Sequence, residues 1–139
     1  MFYWYSPDYM FEDHSDFYKE VPITVTTLRN LHDISGATPD APTISVVEVP
    51  NPDNIPLEKW VTSSRISNFY LSRDKKLATS TIGKEPALSY THAGYHQYDI
   101  ETDAVAHGNN IFLFSVDLVS PPGKLYSDFK NLLGTVLFK

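Results

Sequence analysis

The stretch from Gln97 to Leu118 constrains the fold more than any other part of the chain. From Gln97 to Ala106 the residues alternate. Tyr98, Ile100, Thr102 and Ala104 share one face of an extended strand, and Asp99, Glu101 and Asp103 share the other. His107-Gly108-Asn109-Asn110 has the chemistry of a hairpin turn. Ile111 to Leu118 is then apolar on both faces. Such a strand marks the centre of a sheet covered on both sides. The acidic face of the preceding strand reads as a solvated sheet edge.

Further strands are expected around this pair. Phe2 and Trp4, then Tyr9 and Phe11, flank the Ser6-Pro7-Asp8 turn. A polar connector follows from Asp13 to Glu20. Ile23 to Leu28 and Thr43 to Val49 are β-branched runs separated by a Gly- and Pro-bearing loop from His32 to Pro42. Ala78 to Ile82 and Pro86 to His92 make a hairpin about Gly83, and Ala93-Gly94 forms the next turn.

Two segments carry helical spacing. Pro56 opens the first, with Leu57, Trp60, Val61 and Ser64 on one face and Trp60 as its core anchor. Ser120 caps the second, Pro121 and Pro122 open it, and Leu125, Phe129, Leu132 and Leu133 form its stripe. Gly134 is placed to end it, and Val136 to Phe138 to close the chain as a short strand. The class is α+β: an antiparallel sheet covered by helices, one domain over residues 1–139.

Composition limits function more than it assigns it. Seventeen acids against eleven bases give a net charge of −6, which supplies no general basic footprint for nucleic acid or anionic membrane. There is no cysteine, which excludes disulfides, thiolate metal sites and thiol nucleophiles, and no run long and apolar enough for a membrane span. The opening Met1-Phe2-Tyr3-Trp4-Tyr5 lacks the basic and apolar regions of a signal peptide. Two origins fit, a cytoplasmic protein or an exported one, periplasmic or extracellular; with only 20% charged residues, 24 Ser plus Thr and 10 Pro, the neutral, stiff composition slightly favours the second.

The candidate chemistry is sparse. His92, His96, Asp99, Glu101, Asp103 and His107 lie close in sequence. Asp99, Glu101 and Asp103 share a face and form a candidate weak cation site; no metal centre or cofactor is expected. Ser89, His92 and Asp99 make a hydrolase triad only on paper, since no G-x-S-x-G elbow, dinucleotide fingerprint or phosphate loop is present. The chain is therefore expected not to be an enzyme.

The order of motifs resembles the PsbP-like family. Tyr5-Ser6-Pro7-Asp8-Tyr9 resembles its aromatic–Pro turn, with Tyr9 where Trp is usual. Thr43 to Val46, Pro50-Asn51-Pro52 and Leu57-Glu58-Lys59-Trp60-Val61 resemble its strand, Asn-Pro loop and Leu-x-x-Trp helix. Ile82 to Tyr90 is similar to its Gly–x–Pro–Ala strand, and Gly108 to Leu118 with Phe129 to Phe138 to its final hairpin, helix and strand. The resemblance implies an antiparallel sheet sandwiched by helices, a fold shared with Ran-binding nuclear import factors. It also implies an accessory role: relatives help photosystem II retain calcium and chloride, and many bacterial ones are exported lipoproteins, an origin that would place a lipid anchor upstream. This chain has no lysine-rich face of the kind some photosynthetic members use for docking.

These strands lead to an expected non-enzymatic accessory or protein-binding domain, with a small-ligand or metal-binding pocket between sheet and helix as the alternative. A protein partner or a second copy is the expected ligand. If the first helix runs on to Leu71, Ile66, Phe69 and Tyr70 face away from its buried stripe, beside Arg65 and Arg73, and form a partner surface. If it stops near Ser63, the segment folds back and buries Phe69 instead.

Overall fold

The computed structural model describes residues 9–13, 24–30, 42–94, 98–119 and 123–138, the first two segments as backbone. The strand expected at Phe2 and Trp4, the connector after Asp13, the loop from His32, and the positions of His96 and Ser120-Pro121-Pro122 lie outside these residues.

Seven strands form one antiparallel sheet: β1 (Tyr9–Asp13), β2 (Thr24–Asn30), β3 (Ile44–Pro50), β4 (Ala78–Ile82), β5 (Glu85–Ala93), β6 (Asp99–His107) and β7 (Asn110–Leu118). Their order is β1-β2-β3-β7-β6-β5-β4. The apolar run of β7 lies between β3 and β6, as its two-faced pattern requires. Ile111, Phe112, Leu113 and Phe114 are all buried, alternately against the two faces.

The helices sit on opposite faces, giving an α+β fold of three layers. Helix α1 (Leu57–Ser63) brings Trp60 and Val61 onto a cluster with Val49, Tyr90, Ala104, Ile111 and Leu113. Helix α2 (Lys124–Thr135) brings Phe129 and Leu132 onto Ile44, Val46, Val105, Phe112, Phe114 and Val116. Fully burying Phe129 or Leu132 stabilises by about 2–3 kcal/mol each before entropy is counted.

Local chemistry explains how α1 starts and stops. Asn51 is buried, and its side chain both accepts from the Ile55 N–H and donates to the Ile55 carbonyl, at 3.0 Å each, which holds the Asn-Pro loop in front of the helix. At the other end the Thr62 and Ser63 hydroxyls donate back to the Glu58 and Lys59 carbonyls, competing with continuation of the helix. Ser64 is extended, and the helix has seven residues. Asn68 then takes the left-handed conformation (φ 60°) and turns the chain into a single 3-10 turn at Phe69–Leu71.

Two boundaries of α2 differ from expectation. It begins at Lys124 behind an extended Gly123, two residues beyond Pro122, and it runs through Gly134 to Thr135. Gly134 is not a stop because Thr135 is itself helical and its hydroxyl donates to the Leu132 carbonyl, satisfying an end group that a terminal glycine motif would otherwise serve. The expected closing strand is reduced to a single bridge at Phe138, whose ring stacks on His107 at 4.6 Å.

Candidate functional site

The expected acidic edge is a sheet interior. Strand β6 lies between β5 and β7, and the face carrying Glu101 and Asp103 lies beneath α2. Tyr126 donates to one Glu101 oxygen at 3.0 Å and Lys130 to the other at 2.7 Å. Asp103 is 2% exposed, and its Oδ2 is buried with no hydrogen-bond partner among the described residues. Burial, and then the Glu101 carboxylate two residues away, push the Asp103 carboxyl up to about 7, against the pull of Lys130 and the Ser89 hydroxyl across on β5. For Lys130 burial acts downward, but the hydrogen bond to Glu101 and the charges of Asp103 and Glu101 outweigh it and raise its pKa.

Asp99 does not join this pair. At the start of β6 it is exposed and sits 3.4 Å from the Arg73 guanidinium. Among the described residues no group of three His, Cys, Asp or Glu side chains is arranged to hold a metal ion. The three carboxylates of the candidate cation site are thus divided between a buried pair already served by Lys130 and an exposed pair with Arg73.

On the opposite face of β6 runs a second polar chain. His92 Nδ1 lies 3.0 Å from the Ala93 carbonyl, Nε2 lies 2.9 Å from Thr102 Oγ1, and Thr102 Oγ1 lies 2.8 Å from Ser115 Oγ. A carbonyl only accepts, so Nδ1 carries the proton. In the neutral ring Nε2 then accepts from Thr102, and Thr102 accepts from Ser115. Burial lowers the His92 pKa, which keeps the ring neutral. Both ring nitrogens are therefore engaged inside the protein.

Ser89 faces α2 with Asp103, whereas His92, an odd number of residues along β5, faces the α1 layer. The residues Ser89, His92 and Asp99 are not assembled into a triad. A shallow depression of about 220 Å³ opens where Arg73, Asp74, Thr91, His92, Ala93 and Asp99 meet.

The partner surface expected at Arg65, Ile66, Phe69, Tyr70 and Arg73 is corrected at one position. Phe69 is buried: its ring meets Tyr90 edge-on at 5.5 Å, and the Tyr90 hydroxyl donates to the Ser67 carbonyl at 2.7 Å. The Ser67 hydroxyl, also buried, donates toward the Val61 and Ser64 carbonyls. The fold-back is set by this buried serine and by left-handed Asn68. What remains outside is Ile66, Tyr70 and Leu71, at 37%, 50% and 36% exposure, with the Arg65 guanidinium 4.7 Å from the centre of the Tyr70 ring.

This return segment leads into β4, one edge of the sheet. Ala78, Thr79, Ser80 and Thr81 are exposed in succession, so neither helical layer covers them. Within the return segment, the Lys75 ammonium donates to the Phe69 and Tyr70 carbonyls. Five of the eleven basic residues and only one of the seventeen acids fall between Arg65 and Lys84, so this stretch is net +4 in a chain of net −6. Whole-chain charge conceals that local reversal; a windowed count along the sequence reveals it.

Comparison with known proteins finds no matching family model, no matching curated protein and no matching solved structure.

Proposed function

We propose that this chain is a non-enzymatic accessory domain that binds a protein partner through the surface formed by residues 65–84. The carrying observation is the grouping of Ile66, Tyr70 and Leu71, exposed within six residues of one another and flanked by arginine, on an otherwise mixed and acidic chain. Aromatic and arginine side chains are the types enriched at interface centres. The separation of Ser89 from His92 and the internal engagement of both His92 nitrogens support a role without catalysis. Composition supports a place outside the cytoplasm, and the motif order supports a PsbP-like origin.

The test is a triple substitution, Ile66→Ser, Tyr70→Ser and Leu71→Ser. Binding through this face predicts a melting temperature close to that of the parent, with loss of a partner that the parent retains in chemical cross-linking from its native source. Retention of every cross-linked partner by a folded triple variant rejects the reading.

A second reading, small-ligand binding, is supported by the 220 Å³ depression with Arg73 and Asp99 on its rim. That volume lies below the ~300–1,000 Å³ of ordinary ligand pockets. It predicts ligand-induced shifts at Thr91 and Ala93, away from the apolar group.

A further inference from the structure

We propose that β4 is the docking edge itself, taking up an extended acidic segment of a partner as an additional strand of the sheet. This rests on the protein-binding reading and specifies how the partner is held.

The backbone supplies the first observation. Gly83 and Lys84 both have positive φ (57° and 70°) and form a two-residue turn closed by Ile82 and Glu85. In such hairpins the closing pair exchanges hydrogen bonds, and bonded and non-bonded pairs then alternate. Ser80 opposite Ala87 and Ala78 opposite Ser89 are therefore bonded pairs, while Thr79 and Thr81 direct their N–H and C=O groups away from β5. Among the described residues nothing pairs with them, and β4 ends the sheet. An incoming strand meets two donors and two acceptors in ladder geometry.

The second observation is charge. The five residues of β4 are uncharged, yet Lys76 stands before them and Lys84 after them, both exposed and, among the described residues, without an ion pair. Flanking lysines are a common guard against edge-to-edge pairing. Here they also choose the occupant. A second copy paired antiparallel about Ser80 would set Lys76 of each chain opposite Lys84 of the other, a like-charge contact. A segment of about six residues with carboxylates toward its ends places opposite charges there instead. Lys75, in the stretch leading into β4, donates to the Phe69 and Tyr70 carbonyls, and the exposed Ile66, Tyr70 and Leu71 are the apolar side chains this segment offers to partner residues that continue beyond the strand.

The probe is a capped hexapeptide with glutamate at each end and four threonines between them, titrated into the full chain and followed by backbone amide chemical shifts. Docking on the edge predicts the largest shifts at Thr79 and Thr81, and binding that weakens as salt is added. Thr81→Pro removes an outward donor at an edge position, where proline is tolerated, and is expected to weaken binding about tenfold with the fold retained. Lys76→Glu with Lys84→Glu is expected to weaken it at least as much. Two peptides N-methylated on alternate residues provide a test that needs no variant: one register must lose binding and the other keep it.

Shifts absent from Thr79 and Thr81 at millimolar peptide overturn the proposal, as does equal binding by both methylated peptides. If shifts appear only at Ile66, Tyr70 and Leu71, the edge is refuted while the protein-binding face stands. If neither region responds to the peptide and the triple serine variant keeps every partner, both readings fall. A dimer in sedimentation that Thr81→Pro dissociates assigns the edge to a second copy and overturns the acidic occupant.

Discussion

The hydroxyl of Tyr90 donates to the backbone carbonyl of Ser67 at 2.7 Å, and this one bond fastens the segment after α1 to the middle of β5. Tyr90 is buried, so removing its hydroxyl strands a carbonyl away from water. Tyr90→Phe is expected to cost about 1–3 kcal/mol in urea denaturation. Phe69→Ala, which empties the pocket beside it, is expected to cost about 3–5 kcal/mol. A melting temperature unchanged in Phe69→Ala would mean that the ring is not packed on Tyr90.

Asp103 makes the fold less stable as pH rises. Its carboxyl titrates near 7 in the folded protein but near 3.8 when unfolded, so the folded state holds the extra proton between those values. Stability is full below about 4, falls as pH rises toward 7, and is flat above. The slope is about 1.4 kcal/mol per unit at most. Asp103→Asn is expected to be more stable than the parent at pH 8 by about 2 kcal/mol, with the gap closing toward pH 4. Denaturation curves across this range check it; parallel profiles would refute it.

His92 works in the opposite direction. Its lowered pKa means that the unfolded chain binds the proton more readily, so stability is lost as pH falls from about 6.5 through the folded value. Imidazole nitrogen spectra at about pH 7.5, a unit above the ordinary histidine value, are expected to show a neutral ring with the proton on Nδ1, since only that tautomer donates to Ala93 and accepts from Thr102. A doubly protonated ring at that pH would contradict the buried chain.

Two glycines with nearly the same backbone separate strain from crowding. Gly83 and Gly108 have φ of 57° and 58°, but a Cβ on Gly83 would come within 2.6 Å of the Phe138 ring and 3.2 Å of the Val136 carbonyl, whereas a Cβ on Gly108 meets nothing within 4 Å. Gly108→Ala is expected to cost about 1 kcal/mol for the left-handed backbone alone. Gly83→Ala is expected to cost more, and Phe138→Ala in the same chain to recover part of the excess. Equal costs at the two sites would show that Phe138 does not press on the hairpin.

Periodicity carried most of the architecture. The alternation of β6, the two-faced apolar run of β7 and the Phe129–Leu132 stripe of α2 each state their burial in local spacing, and each is found so. The acidic face of β6 was misread because alternation tells which residues share a face but not what lies over it. Lys130 and Tyr126 arrive from nearly thirty residues downstream, at separations of 29 and 25. Phe69 was ambiguous for a related reason. Its burial depends on Asn68 taking a conformation that sequence permits but does not require, and on a hydroxyl from Tyr90, 23 residues beyond Ser67. Exposed Ile66, Tyr70 and Leu71 could be told from buried Phe69 only once the fold-back was in place.

The pairing of β3 with β7 has a consequence for how the chain is made. Strands β1 to β3 and β4 to β7 are each joined to their sequence neighbours, so both meanders can form from nearby residues, but the seam between them unites Ile44 with Val116 and is reinforced by Thr43 donating to Asp117, 74 residues away. During synthesis at ~5–20 residues per second, the first meander waits about 4–15 s for its companion to leave the ribosome. Throughout that interval β3 is itself an open edge, its Ile44 and Val46 still lacking the cover they later share with Phe114 and Val116. The hazardous period for this molecule is therefore its translation, and a codon change that slows passage between β3 and β7 lengthens the exposure without altering a single residue.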